Sequence, residues 1–216
     1  MADLTLWGRI SSCNVQKAVW VLEELGLPYQ RIDAGGKFGG LDDPAYRAMN
    51  PHGKVPTLRD GETVIWESDA IIRYVAARYG DGGLWPANPA QRAAADQWLA
   101  WANATLYRDW IDLFWMCVRT PEQDQDAVGI EARRTRTAER LALLDRELAG
   151  RPWLAGADFS LADVGAGMTL YRWYAMPIER PKLPNLAAWY ERLRARPAYV
   201  TAVCIPFDDL AGRLAY

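Results

Sequence analysis

The stretch that decides the fold lies near the N-terminus and reads Leu4-Thr5-Leu6-Trp7-Gly8-Arg9-Ile10-Ser11-Ser12-Cys13-Asn14-Val15-Gln16-Lys17-Ala18-Val19-Trp20. A short apolar strand ends at Gly8, a loop of hydroxyl, thiol and amide side chains follows, and an amphipathic helix begins near Asn14. A strand, a polar loop and a helix in this order direct several backbone N–H groups and the positive end of a helix dipole at one place. We therefore expect an anion, either a phosphate or a thiolate, to bind there.

The composition excludes several kinds of partner. The chain has 216 residues and a formal net charge of −2, with charged residues of both signs scattered along it, so no basic stripe indicates nucleic acid or an anionic membrane. No secretory signal and no apolar run of roughly 20 residues is visible, and we expect a cytoplasmic protein. The single histidine and three widely separated cysteines fit neither a disulfide framework nor a His/Cys metal site, so no metal is expected.

Alternating strand and helix signals fill residues 1–80, which we predict to be one domain. A weak second strand is indicated near Tyr29, and the glycine-rich segment 35–40 is predicted to be a mobile surface loop without regular structure. The pair Asp60-Gly61 between two β-prone runs predicts a hairpin. Glu67-Ser68-Asp69 then opens another amphipathic helix.

A segment rich in glycine and proline, residues 80–89, is interpreted as a domain linker. Strand signals vanish beyond it, and long helical patterns over about 90–117 and 129–150 predict an all-helical domain at 90–216. Ser160 and Asp163 have the spacing of a capping box, which is a folding signal rather than a catalytic one.

Four aromatic residues of the second domain allow two interpretations. They are Tyr107, Trp110, Trp115 and Trp173. Aromatic side chains on a helix are more often core residues than binding residues. The same side chains at the mouth of a pocket would suit an apolar, planar substrate. The sequence leaves both interpretations open.

Polar residues near the predicted helix ends are candidates for binding a charged ligand. The N–H and hydroxyl of Ser68 could bind a carboxylate, and Glu67 or Asp69 could accept a bond from an ammonium group. The alternative for the same residues is ordinary capping of the helix. Lys37 is either a contact for an anion or a solvated lysine.

Taken together, these features resemble the cytosolic glutathione transferase family over nearly the whole chain. Four features carry the resemblance in the right order, namely the polar loop Ser11 to Asn14, Lys54-Val55-Pro56, Glu67-Ser68-Asp69 and the capping box Ser160-Leu161-Ala162-Asp163. The resemblance implies a thioredoxin-like βαβαββα domain that binds glutathione, followed by an all-α domain that contributes a hydrophobic substrate site. It also implies a homodimer and a cis peptide bond before Pro56.

The resemblance further implies which residues hold each part of glutathione. The backbone of Val55 would pair with the cysteinyl part, and Glu67 and Ser68 would hold the γ-glutamyl end. The candidates for the glycyl carboxylate are Lys54, His52 and Lys37.

The catalytic requirement is a donor that favours the thiolate of glutathione. A free cysteine thiol has a pKa near 8.5, so only a few per cent of it is ionised at pH 7. A hydroxyl at a helix N-terminus lowers that pKa by bonding the charged form. Ser12 lies six residues before Ala18, the position of the hydroxyl in serine-type family members. Asn14 is a joint candidate, and Ser11 and Arg9 follow as further ones.

The function that the resemblance implies is a transferase that activates the glutathione thiol for attack on small apolar electrophiles, as in detoxification. Glutathione-dependent reduction of disulfides or peroxides is a second hypothesis, suggested by Asn14. The cysteine of reductive family members would fall at position 12, where this chain has serine, so Cys13 is interpreted as structural. The third hypothesis is a glutathione- or ligand-binding protein without turnover.

Overall fold

The computed structural model describes residues 3–214, which fall into two compact units. The first unit comprises residues 3–85 and 198–205 of this range, and the second comprises residues 86–197 and 206–214. The break after Trp85 lies inside the segment interpreted as a linker. Residues 198–205 were expected in the helical domain but belong to the first unit.

Residues 3–85 contain four strands and three α-helices in the order βαβαββα. Their bounds are β1 Leu4–Trp7, α1 Cys13–Glu24, β2 Tyr29–Ile32, α2 Pro44–Met49, β3 Thr57–Asp60, β4 Thr63–Trp66 and α3 Ser68–Tyr79. The sheet has the order β2-β1-β3-β4, in which β1 is parallel to β2, whereas β3 is antiparallel to both β1 and β4. This is the thioredoxin-like arrangement that the resemblance implies, and the predicted fold class is confirmed.

Helix α1 is built as its sequence pattern predicts. Its apolar side chains at helical spacing are fully buried, and its C-terminus closes at Gly26, which has a φ of +60°. The N–H of Gly26 donates to the carbonyl of Glu23 at 3.1 Å, and the N–H of Leu27 donates to that of Leu22 at 3.0 Å. This pair of bonds is a Schellman motif, which favours glycine because a residue with a side chain is strained at positive φ.

Two elements of the first unit differ from the prediction. The segment predicted to lack regular structure contains a single 3₁₀ turn at Gly36–Phe38, and residues 44–49 form α2, which the residue pattern did not indicate although the βαβαββα order of the resemblance implies a helix there. Positive φ values of +76° at Gly35 and +59° at Gly36 allow the chain to enter that tight turn. Helix α2 has only six residues, too few for an apolar period to show, although Pro44 at its first turn is a typical start.

The regular elements of the second unit are helical, and the predicted all-helical class is confirmed. Their bounds are α4 Pro89–Trp101, α5 Tyr107–Phe114, α6 Ala127–Glu147, α7 Leu161–Gly167, α8 Leu170–Ala175 and α9 Pro184–Arg194. A π-helical turn at Ala102–Leu106 joins α4 and α5 into one helical run, and a second π-helical turn at Trp115–Arg119 continues this run beyond α5. Asn88 starts this run because its side chain accepts bonds from the N–H groups of Ala90 and Gln91.

A last helix, α10 at Pro197–Val203, explains why residues 198–205 belong to the first unit. The ring of Tyr199 meets the indole of Trp20 edge to face, with 4.8 Å between the ring centres. Both side chains are fully buried. Such aromatic pairs are favourable beyond the apolar area that they bury, so the contact ties α10 to α1. No helix within residues 3–214 is long and apolar enough to cross a membrane.

The capping box at the start of α7 is present and does more than cap a helix. Asp163 accepts a bond from the N–H of Ser160 at 3.0 Å, and the N–H of Ala162 donates to the Ser160 hydroxyl at 3.3 Å. The fully buried Asp163 carboxylate also accepts from the N–H of Leu154 at 2.9 Å and from the indole N–H of Trp189 at 3.1 Å. Asp163 therefore joins α7 to the preceding loop and to α9.

The pKa of Asp163 makes the stability of the protein depend on pH. Burial raises that pKa from 3.8 to about 6, although the N–H donors oppose the shift. The folded state therefore binds more protons between these values, and the stability that this carboxyl contributes is present below about pH 4 and is lost as the pH rises through about 6. We expect the difference in unfolding free energy between the native protein and Asp163→Asn to fall by about 2 kcal/mol from pH 4.5 to 7.5, as measured by urea unfolding. A constant difference would show that Asp163 does not titrate in this range.

Candidate functional site

The loop after β1 ends at Ser12, which occupies the N-cap position of α1. Ser12 has extended backbone angles (φ −82°, ψ 120°), and its carbonyl accepts from the N–H of Gln16 at 2.9 Å. Its side chain, however, makes no capping bond. The hydroxyl is therefore not used by the helix. It is half-buried at the positive end of α1, where it can donate to a bound anion.

The structure brings two of the predicted residues together across the first unit. The hydroxyl of Ser68 donates to the side-chain oxygen of Asn14 at 3.3 Å, although the residues are 54 positions apart in sequence. Ser68 is the first residue of α3, and Asn14 is the second residue of α1. The N-termini of the two helices therefore meet, and both direct positive dipole ends at the same region.

Glu67, the residue before α3, has an unusual backbone. Its φ of +69° and ψ of 117° lie outside the regions that residues with a side chain normally adopt. The side chain is exposed and does not cap α3. Strain of this kind costs about 1–3 kcal/mol and is concentrated at functional sites, where the surrounding structure enforces it.

The two carboxylates considered for a ligand ammonium differ in their surroundings. Asp69 is 9% exposed, and its carboxylate accepts a bond from the ammonium of Lys17 at 2.6 Å. Glu67 is exposed. Asp69 already has a cationic partner inside the protein, so Glu67 is the better candidate for a ligand.

The segment before β3 is fixed by residues that the sequence analysis did not single out. The hydroxyl of Tyr46 donates to the carbonyl of Lys54 at 2.6 Å, and the side-chain amide of Asn50 donates to the same carbonyl at 2.9 Å. Val55 follows, and the peptide bond between Val55 and Pro56 is cis, as the resemblance implies. Because Val55 precedes the paired residues of β3, its backbone lies outside the sheet register and stays a candidate for pairing with a ligand.

The three candidates for a ligand carboxylate are all exposed, but they lie in two different segments. His52 and Lys54 belong to the loop after α2, where the His52 ring lies 5.1 Å from the ring of Trp66. Lys37 lies on the 3₁₀ turn, with its ammonium 5.2 Å from the ring centre of Phe38. Within residues 3–214, no hydrogen bond or ion pair joins Lys37 to another predicted site residue.

Arg9 and Ser11 occupy the loop that leads to Ser12. The Arg9 side chain packs against the glycine turn, since a Cβ atom built on Gly36 would lie 3.1 Å from it. The N–H of Arg9 donates to the carbonyl of Ala34 at 3.1 Å, and its carbonyl accepts from the N–H of Ser12. Ser11 is half-buried beside it. These contacts hold the loop to the segment after β2 and fix the position of Ser12.

The aromatic residues of the second unit divide into two groups. Trp110 and Trp173 are 0% and 1% exposed, which makes them core residues of the unit in this structure. Their indoles cannot reach a ligand without rearrangement of the core, so the expectation of a substrate contact is not supported for them. Tyr107 and Trp115 are half-buried, and Tyr107 lines a cavity of about 700 Å³. A substrate site in this unit would use Tyr107 and Trp115.

Lys17 is the functional-site neighbour that the sequence analysis missed. The sequence carries a signal for this residue, because Lys17 lies among the apolar positions of α1. In the structure its side chain is buried, and the residue is 2% exposed. A lysine on the buried face of a helix needs a partner, and the sequence does not show that this partner is Asp69.

No group of three metal-ligating side chains occurs within residues 3–214.

The mixed sheet, the cis-proline segment and the helix that starts at the polar loop define a thioredoxin-like domain, and an all-helical unit follows it. Residues 6–83 match the family model of the glutathione S-transferase N-terminal domain, and residues 108–197 match that of the C-terminal domain. The chain belongs to the glutathione S-transferase family.

Individual relatives agree with this assignment over nearly the whole chain. Glutathione S-transferase GstB of Escherichia coli K12 is 43% identical over 94% of this chain and 99% of its own length. Glutathione S-transferase 3 of Zea mays is 33% identical over 95% of this chain and 97% of its own. The structure of the theta class enzyme of Xanthomonas axonopodis pv. citri with glutathione bound is 50% identical, covers 95% of this chain and 99% of that one, and superposes with a TM-score of 0.91.

Proposed function

We propose that this glutathione transferase activates the thiol of glutathione with the Ser12 hydroxyl, assisted by Asn14, for attack on small apolar electrophiles. The observation that carries the proposal is the Ser12 hydroxyl at the N-terminus of α1, which makes no bond to its own helix. Lowering the thiol pKa by about two units stabilises the thiolate by roughly 2.7 kcal/mol. A hydroxyl donor and a helix dipole are groups of the kind that supply such a shift. Ser11 is the next candidate donor.

The remaining residues of the site suit the other groups of the tripeptide. Ser68 at the start of α3 would bind the γ-glutamyl carboxylate, and the exposed Glu67 would bind its ammonium. The backbone of Val55 would pair with the cysteinyl residue. Lys54, with His52 and Lys37 as further cations, would bind the glycyl carboxylate.

The experiment that tests the proposal is a titration of the protein with reduced glutathione. Binding is measured calorimetrically, and the ultraviolet absorbance of the thiolate is followed over pH in the same complex. Binding with a thiol pKa well below 8.5 is the expected result. Binding with an unshifted thiol would favour a protein that carries glutathione without turnover, and no binding would reject the site.

Conjugation and reduction are separated by two assays on one preparation. Cys13 is 6% exposed as the first residue of α1, and the position used by reductive members is occupied by Ser12. Both observations favour conjugation, with Tyr107 and Trp115 in contact with the apolar electrophile. We expect turnover of an activated aromatic halide and little reduction of a small disulfide. The reverse pattern would favour the reductase hypothesis.

The oligomeric state and the cellular compartment of the protein belong to the same proposal. We infer a homodimer in the cytoplasm, on the basis of the family. The oligomeric state is tested by analytical ultracentrifugation, in which the sedimenting mass should be twice the 24.3 kDa of the chain. A mass equal to that of one chain would remove this part of the proposal.

A double substitution tests the γ-glutamyl assignment. Glu67→Gln with Ser68→Ala removes a charged acceptor and a hydroxyl donor, each worth about 1.5–3 kcal/mol when bonded to a charged group. We expect the dissociation constant for glutathione to rise at least tenfold, as measured by calorimetry. The control is Glu62→Gln, an exposed residue of the hairpin that connects β3 and β4. Unchanged affinity in the double variant would mean that the tripeptide is held elsewhere.

A further inference from the structure

An ion pair between α1 and α3 lies almost entirely inside the first unit. The ammonium of Lys17 is 2.6 Å from the carboxylate of Asp69, and the two side chains are only 3% and 12% exposed. Removing two charges from water costs several kcal/mol per ion, and this cost is recovered only when the geometry of the pair is fixed. The pair is therefore a rigid link between the two helices.

This ion pair lies directly beside the proposed contacts with glutathione. Lys17 follows Asn14 by three residues, so both side chains lie on one face of α1 and about 4.5 Å apart along its axis. Asp69 is the residue after Ser68. The contact of Ser68 with Asn14 at 3.3 Å and the ion pair therefore run side by side between the first turns of α1 and α3.

We propose that Lys17 and Asp69 are positioning residues of the glutathione site, whose ion pair sets the separation between Asn14, near the thiol, and Ser68, at the γ-glutamyl end. The inference rests on the proposed assignment of Asn14 and Ser68. In this role neither Lys17 nor Asp69 contacts glutathione itself. They act by holding the first turn of α1 against the first turn of α3, so that Asn14 and Ser68 can contact the two ends of one glutathione molecule simultaneously.

The chemistry of the pair favours positioning over simple stabilisation. Replacing a buried ion pair with a well-packed apolar pair of similar volume is often neutral or stabilising, so stability alone does not require the charges. What an ion pair adds is a directional bond with a fixed length. Binding constellations need to be held within about 0.5 Å, and a misplacement of about 1 Å can cost a factor of 100 in rate. A fixed link next to the two contact residues meets this need.

The test compares variants that keep or remove the link. Lys17→Met keeps the volume and removes the bond, and Asp69→Ala removes the acceptor. In both variants we expect the dissociation constant for glutathione to rise about tenfold and the pKa of the bound thiol to move upward towards 8.5. Asp69→Asn keeps the length and an acceptor oxygen for Lys17, and should remain within about threefold of the native affinity.

The matched control lies at the other end of the same helix. The hydroxyl of Tyr79 donates to the carboxylate of Asp60 at 2.6 Å, about 16 Å along α3 from Ser68. Tyr79→Phe removes one hydrogen bond of α3, and it should lower the unfolding midpoint without changing the affinity or the thiol pKa. A merely structural role of Lys17 predicts that Lys17→Met behaves in the same way.

The outcomes separate this inference from the proposed function. A folded Lys17→Met protein with native affinity and native thiol pKa would overturn the inference, even if its stability were reduced. If Lys17→Met does not fold, the comparison of Asp69→Ala with Asp69→Asn decides, and equal affinities in these two would overturn it. The native protein is titrated first, because a native protein that binds no glutathione would reject the proposed site itself.

Discussion

Replacing Ser12 with alanine is expected to raise the pKa of the thiol of bound glutathione by up to about two units, towards the value of free glutathione. The Ser12 hydroxyl is the side-chain donor at the N-terminus of α1 that makes no bond to its own helix. Without it, the thiolate loses the bond that favours the charged form over the neutral one. At pH 7 the ionised fraction then falls by up to about 20-fold, and the conjugation rate at saturating glutathione should fall by a similar factor. The measurement is the thiolate absorbance over pH, together with the rate.

The geometry of Ser12 also predicts what will not change. Because its side chain does not cap α1, Ser12→Ala should alter the unfolding free energy by less than about 0.5 kcal/mol. Ser160→Ala is the matched control, since Ser160 is also an N-cap serine but does accept a bond from its helix. Ser160→Ala should lower the unfolding free energy by about 0.5–2 kcal/mol and leave the pKa of the bound thiol unchanged. An unaltered thiol titration in Ser12→Ala would transfer the main donor role to Asn14.

Asp163→Ala is expected to destabilise the protein by about 3–5 kcal/mol at pH 7. The substitution leaves three buried N–H groups without an acceptor, those of Leu154, Ser160 and the Trp189 indole. Each such group costs about 1–3 kcal/mol when unsatisfied. This is a larger effect than the roughly 0.5–2 kcal/mol typical of a lost helix cap. The change is measured as the shift of the urea unfolding transition.

A second aspartate of the same unit provides the control for this prediction. Asp145 is half-buried, and its carboxylate accepts from the N–H of Leu186 at 2.9 Å. Asp145→Ala removes this bond and a longer one of 3.4 Å from the side-chain amide of Asn185, and because water can replace both, we expect the unfolding free energy to fall by about 1 kcal/mol. If Asp163→Ala cost no more than Asp145→Ala, the carboxylate of Asp163 would be a helix cap and not a junction of three segments.

Features with a local sequence signature were predicted correctly. The hairpin signal at Asp60-Gly61 appears as the turn between β3 and β4, and Gly26 ends α1. The Ser160 capping box is likewise formed. These signatures are reliable because turn geometry and capping depend on residues within a few positions of one another.

The features that escaped prediction depend on partners that are far apart in sequence. The burial of Lys17 makes sense only once Asp69 lies beside it, and these residues are 52 positions apart. The sequence left the aromatic residues undecided between core and surface, because periodicity does not distinguish the fully buried Trp110 from the half-buried Trp115. The roles of Ser12, Glu67 and Lys54 stay predictions until binding is measured.

The contact between Trp20 and Tyr199 has a consequence for synthesis of the protein. A ribosome releases α1 and the whole sheet long before residue 199, and until then the indole of Trp20 lacks the aromatic ring that covers it in the folded chain. The first unit therefore cannot complete its core while it is being translated. A fragment of residues 1–85 made alone would lack Tyr199, so we expect the part of the Trp20 indole that this ring covers to become an exposed apolar surface, which favours association with chaperones or with other copies.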